Sequence, residues 1–135
     1  MGYPIDAIEG VGPVLKEKFT AAGIRSVEKL LKEGGAKKGR KAIASATGID
    51  EKKVLRFVNH ADLMRIKGVS SQYSELLEAA GVDTVKELRN RNAENLQKKM
   101  AEVNADKKLV RQVPSLSQTE GFVSQAKGLE PMVSH

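Results

Sequence analysis

The sequence predicts an all-α protein made of two copies of one helical unit. Three observations carry that prediction. First, the chain repeats itself. Ile8-Glu9-Gly10-Val11 aligns with Ile66-Lys67-Gly68-Val69, and Ala21-Ala22-Gly23-Ile24 aligns with Ala79-Ala80-Gly81-Val82, both at an offset of 58. Second, no segment alternates apolar and polar residues as a half-buried strand does. Third, helix start and stop signals recur at short intervals, so each unit should hold four to five short helices, about nine or ten in all.

The elements follow in order. Pro13 suits the first turn of a helix, where its missing N–H costs nothing. Val14, Leu15, Phe19 and Ala22 are the apolar residues of that helix, and Gly23 ends it, being able to adopt positive φ. Ser26 caps a second helix with Val27, Leu30 and Leu31 inward, and Gly34-Gly35 stops it. A third runs through Ala42, Ile43 and Ala46 to Gly48. Asp50 caps a fourth, with Val54, Leu55, Val58, Ala61 and Leu63 inward. The second copy predicts a helix near 71–80 and one from Thr84, with Glu87 completing a capping box. Another runs from Asn92 through Leu96 and Met100, and a further one starts near Asp106. The tail Ser117-Gln118-Thr119-Glu120 has a capping-box pattern that opens a last helix to Lys127. The residues after it, Glu130 to His135, are expected to fray or to be held by a partner. Further matches extend the repeat at shrinking offsets: Ile43-Ala44 with Met100-Ala101, and Lys53-Val54-Leu55-Arg56 with Lys108-Leu109-Val110-Arg111. The first repeat is 1–58; the second, with its C-terminal helix and tail, is 59–135. A unit of ~60 residues is marginal alone, so the two are expected to pack together.

Composition narrows the functional classes. The 135 residues are 40% hydrophobic and only 4% aromatic, with no Trp, so the core is aliphatic. So few aromatics argue against a stacking platform for single strands. The absence of Cys excludes disulfides, zinc fingers and iron–sulfur clusters. No apolar run is long enough to span a membrane. The start lacks the basic and apolar regions of a secretory signal, which makes a cytoplasmic protein the expectation. Met1-Gly2 begins like an acylation signal, but Asp6 stands where Ser or Thr is required.

Ile8-Glu9-Gly10-Val11-Gly12-Pro13, followed by Phe19 and Ala22-Gly23-Ile24, resembles the helix-hairpin-helix motif. There, two short helices flank a Gly-hydrophobic-Gly hairpin. Glycines allow a tight turn and close backbone approach to a ligand. Val11 anchors the hairpin, and unsatisfied N–H groups lie at the positive end of the next helix. Such a turn holds a phosphate without reading a base. The tandem, joined through Val58-Asn59-His60-Ala61-Asp62-Leu63, is similar to a bacterial family of tandem helix-hairpin-helix proteins known as a domain of unknown function. That resemblance covers nearly the whole chain and implies a fold and nucleic-acid binding, with no established activity. Nucleic-acid-binding members often carry a basic residue where Val14 stands, and a small one where Lys16 stands. In the second copy Ser70, Ser71 and Gln72 replace Gly12, Pro13 and Val14.

Charge favours the first copy. The net charge is +6; residues 1–65 carry 13 basic against 8 acidic side chains, and residues 66–135 carry 10 against 9. The densest cluster is Lys37-Lys38-Gly39-Arg40-Lys41, read as a basic loop opening a helix. Catalysis has little to build on. His60 suits a capping or inter-repeat hydrogen bond, His135 is terminal, and Asp62 and Lys67 suit solvated or capping roles. Metal-ligand spacings and a P-loop are both absent. The expectation is a non-enzymatic module with no cofactor that binds the phosphate backbone of DNA, or of RNA, without sequence preference. Its candidate residues are Gly10, Val11, Gly12, Lys16, Lys18, Lys37, Lys38, Arg40 and Lys41, with Gly68 and Ser70 in the second copy. The alternative is a helical scaffold for a protein partner or for self-association.

Overall fold

The computed structural model describes residues 3–135, so Met1 and Gly2, on which the acylation reading turns, lie outside the described residues. A 3-10 turn at Ile5–Ala7 precedes eight α-helices: α1 (Pro13–Ala21), α2 (Val27–Gly34), α3 (Lys37–Thr47), α4 (Glu51–Leu63), α5 (Ser71–Ala79), α6 (Val85–Leu88), α7 (Ala93–Lys107) and α8 (Leu116–Lys127). The class is all-α. Among the described residues the only β-type pairing is an isolated bridge between Pro4 and Ser26.

The chain forms two compact units. One comprises Met1–Asp62 with Met132–His135; the other is Leu63–Pro131. The division falls at the end of α4, and the last four residues belong to the first unit rather than to the second repeat.

The first unit buries Ile5, Ile8, Val11, Phe19, Ile24, Val27, Leu30, Ile43, Val54, Phe57 and Val58. The second buries Ile66, Val69, Leu76, Leu77, Val82, Leu88, Leu96, Met100, Phe122 and Val123 in one cluster. Both cores are mainly aliphatic, as the composition requires. Hydroxyl and amide caps set several of the helix starts. Ser26 accepts from Lys29 N–H at 3.1 Å, Thr84 from Glu87 N–H at 3.2 Å, and Asn92 from Asn95 N–H at 3.0 Å. Each such cap contributes about 1 kcal/mol.

The structure corrects several boundaries. Among the described residues there are eight α-helices rather than nine or ten. No helix begins near Asp106, because α7 runs unbroken to Lys107. The last helix is capped two residues earlier than expected: Ser115 and Gln118 form the reciprocal capping box. At Thr84 only half of a box forms, since the Glu87 carboxylate accepts from Arg91 at 3.1 Å. Lys37–Lys41 is not a loop but the opening of α3.

The repeat also realigns. Residues 108–111 are a loop, so the counterpart of α4 is α8. Phe57, Val58 and Ala61 match Phe122, Val123 and Ala126, all buried, at an offset of 65. The left-handed residue that ends α3, Gly48 (φ 74°), is matched by Lys108 (φ 52°) after α7.

Candidate functional site

The same turn is built twice. Gly10 has φ 95° and Gly68 has φ 93°, a region that glycine enters without steric cost. Each turn is closed by one hydrogen bond: Val11 N–H to Ile8 O and Val69 N–H to Ile66 O, both 3.1 Å. An aromatic ring lies against each glycine. A Cβ at Gly10 would sit 3.4 Å from Phe57 Cε1, and one at Gly68 would sit 3.1 Å from Phe122 Cε1. The turn then enters a helix through an extended residue, Gly12 (φ −87°, ψ −172°) before α1 and Ser70 (φ −85°, ψ −179°) before α5. Serine therefore reproduces the backbone of the second glycine, and its hydroxyl accepts from Tyr73 N–H at 3.5 Å. Gly12 tolerates a side chain on space alone, since nothing lies within 4 Å of a Cβ there.

Val11 and Val69 are buried, whereas Gly10, Gly12, Gly68 and Ser70 are exposed. The N–H groups of Gly10 and Gly12 have no acceptor among the described residues. They stand at the positive end of α1, which favours an anion. Val11 has to be withdrawn as a direct contact: its N–H is spent on Ile8 and its side chain is core.

The basic residues do not all gather there. Lys16 lies in the next turn of α1, exposed, 3.4 Å from the Asp6 carboxylate. Lys18 is exposed in the last turn of α1, about 9 Å along the axis from Gly12. Lys37, Lys38 and Lys41 are exposed on α3. That helix has no acidic residue in its first turn, and its N-cap, Ala36, offers no side-chain oxygen. Cations at an uncapped N-terminus oppose the macrodipole, so this end is short of negative charge.

Arg40 is the clearest correction. It is 3% exposed and faces inward. Its Nη1 donates to Gly34 O and Gly35 O, both at 2.9 Å, and its Nη2 to Ser134 O at 2.6 Å. Burial lowers its pKa from the usual arginine value, and the nearby Glu51 charge pushes it back up. Arg40 pins the returning tail, where Ser134 N–H also bonds Gly35 O at 2.8 Å. The tail is thus held by its own chain. A basic residue at an inward position of a helix was the available sequence signal, and it was hidden by the surrounding lysines.

Val14, which follows the first turn, is 66% exposed, an apolar residue facing solvent. His60 and Asp62 are buried on α4, which removes the solvated role for Asp62. Among the described residues no cluster of three or more His, Cys, Asp or Glu could hold a metal ion. No described helix is long and apolar enough to cross a membrane.

A domain-of-unknown-function family, DUF4332, has a family model that matches residues 9–129. The chain belongs to that family, and the match spans both turns. No curated protein and no solved structure matches the chain.

Proposed function

We propose that the chain is a tandem helix-hairpin-helix protein that binds the phosphate backbone of nucleic acid, DNA in the first instance, without sequence preference and without catalysis. The first turn carries this reading: exposed Gly10 and Gly12 N–H groups, with no acceptor among the described residues, stand at the start of α1. Main-chain donors contact phosphates and carry no base information. The exposed Lys37, Lys38 and Lys41 add cationic charge in the same unit, and the net charge of +6 has the matching sign. Arg40 is left out of the interface because its donors are engaged.

The test is fluorescence anisotropy of two labelled duplexes of unrelated sequence, titrated with the full chain at several salt concentrations. Equal affinities that fall steeply with salt are expected. The triple variant Lys37→Ala, Lys38→Ala, Lys41→Ala should reduce the log–log salt slope by about 3. Absence of duplex binding at low salt would overturn the reading.

Exposed Val14 favours a second reading, a protein-docking surface at the same turn. Stable self-association or protein capture lost in Val14→Lys, with no nucleic acid bound, would support it.

A further inference from the structure

The two units differ most in one connection. Three residues, Gly48-Ile49-Asp50, join α3 to α4, whereas eight residues, 108–115, join α7 to α8. The longer connection is held in place at three points. The Asn104 side chain donates to Val110 O at 3.0 Å and accepts from Val110 N–H at 2.9 Å. Tyr73 Oη donates to Gln112 O at 3.0 Å, and Gln97 Nε2 donates to Pro114 O at 3.3 Å. Lys108 is kept in the left-handed region, a conformation costly for a residue with a Cβ.

This loop forms one wall of an open cleft of about 770 Å³ beside the second turn, lined by Lys108 and Arg111 with Ser70, Gln72 and Tyr73 from α5 and its N-cap. Both cations are exposed. No carboxylate lines the cleft. A smaller cavity in the first unit, about 400 Å³, sets Asp50 and Glu51 against Lys37, Arg40 and Lys52, so two carboxylates offset most of its cationic charge. The large cleft is cationic and partly apolar, and its volume is that of a small-molecule site rather than of a bare ion.

We propose that this cleft binds a phosphate ester of nucleotide size. Lys108 and Arg111 take the phosphate, Arg111 by its guanidinium fork, while Tyr73 and Leu109 offer an apolar wall to the attached ring. The proposal deepens the nucleic-acid reading, and rests on it when the nucleotide is part of a strand. A free nucleotide presents the same chemistry, and the two sources separate experimentally.

The full 15N-labelled chain is titrated with AMP and, separately, with a short oligothymidylate, and amide shifts are followed. Saturable shifts at Ser70, Gln72 and residues 108–112 are expected with both. The double variant Lys108→Glu, Arg111→Glu should weaken AMP binding about tenfold or more. The charge-matched variant Lys52→Glu, Lys53→Glu, at exposed residues outside the cleft, should leave AMP binding unchanged. Lys108→Gly keeps the turn and removes the ammonium, so it should raise the Tm while weakening AMP binding, which separates a lost ligand contact from a lost fold. AMP binding that is indifferent to the double variant, or no shift at these amides up to about 10 mM AMP, would overturn the proposal. Oligothymidylate binding that bypasses residues 108–112 would overturn it and leave the nucleic-acid reading standing. AMP bound in the cleft with no oligonucleotide or duplex bound would support the cleft and overturn the broader reading.

Discussion

The first unit closes its third helix tightly against its second, and the second unit does not do the same with the equivalent elements. Only Gly35 and Ala36 separate α2 from α3, and a Cβ at Gly39 would collide with the backbone carbonyl of Glu33. In the second unit the third residue of α7 is Asn95, exposed, and residues 89–91 lie between α6 and the N-cap Asn92. The fourth residue of each helix is buried, but it is Arg40 in α3 and Leu96 in α7. One turn therefore supports two different surroundings: a unit that clamps its own C-terminal tail through an arginine, and a unit with an ordinary apolar core and a long, tethered loop. The shared geometry is the glycine turn and its aromatic support; the material around it is free to specialise.

Exchanging residues between units breaks that comparison. The largest effect is expected from Gly39→Asn, which gives the first unit the second unit's residue. The two-residue link prevents α3 from retreating, so a loss of about 3 kcal/mol or more is expected in chemical denaturation. Arg40→Leu, which copies Leu96, should come next. It leaves the carbonyls of Gly34 and Ser134 without their arginine donor, at about 2–3 kcal/mol. Limited proteolysis should then cut the tail near Met132–His135 before any other segment. The smallest effect is expected from Gly12→Ser, which copies Ser70. The backbone angles match and the space is open, so the thermal midpoint should correspond to a change within about 0.5 kcal/mol.

Much of this was legible in the sequence, for reasons tied to particular residues. Gly10, Gly23, Gly68 and Gly81 recur at one offset because each must adopt positive φ. Ser26, Thr84 and Asn92 announce helix starts because their side-chain oxygens accept orphan N–H groups. The equivalence of α4 and α8 was obscured by the longer 108–115 loop, which moves the offset to 65 and lets the similar-looking Lys108–Arg111 run mimic Lys53–Arg56. The repeated Phe57 and Phe122, in a chain with three phenylalanines, were the signal that could have located it. In the candidate site, exposure of Gly10, Gly12, Gly68 and Ser70 followed from the turn, whereas Arg40, at an inward position of its helix, finds its third acceptor only where the tail returns. That contact spans 94 residues, and local pattern does not encode it.

The most direct test removes a single main-chain donor from the first turn. Gly12 precedes α1 at φ −87°, close to the angle proline imposes, and its N–H has no acceptor among the described residues, so Gly12→Pro deletes that donor without deleting an internal hydrogen bond. Duplex binding by Gly12→Pro is compared with Gly12→Ser, which keeps the N–H, after both are shown to melt cooperatively. If the backbone amide holds a phosphate, Gly12→Pro binds about tenfold more weakly and Gly12→Ser binds as the parent does. Equal binding by all three proteins would contradict a phosphate held by this turn.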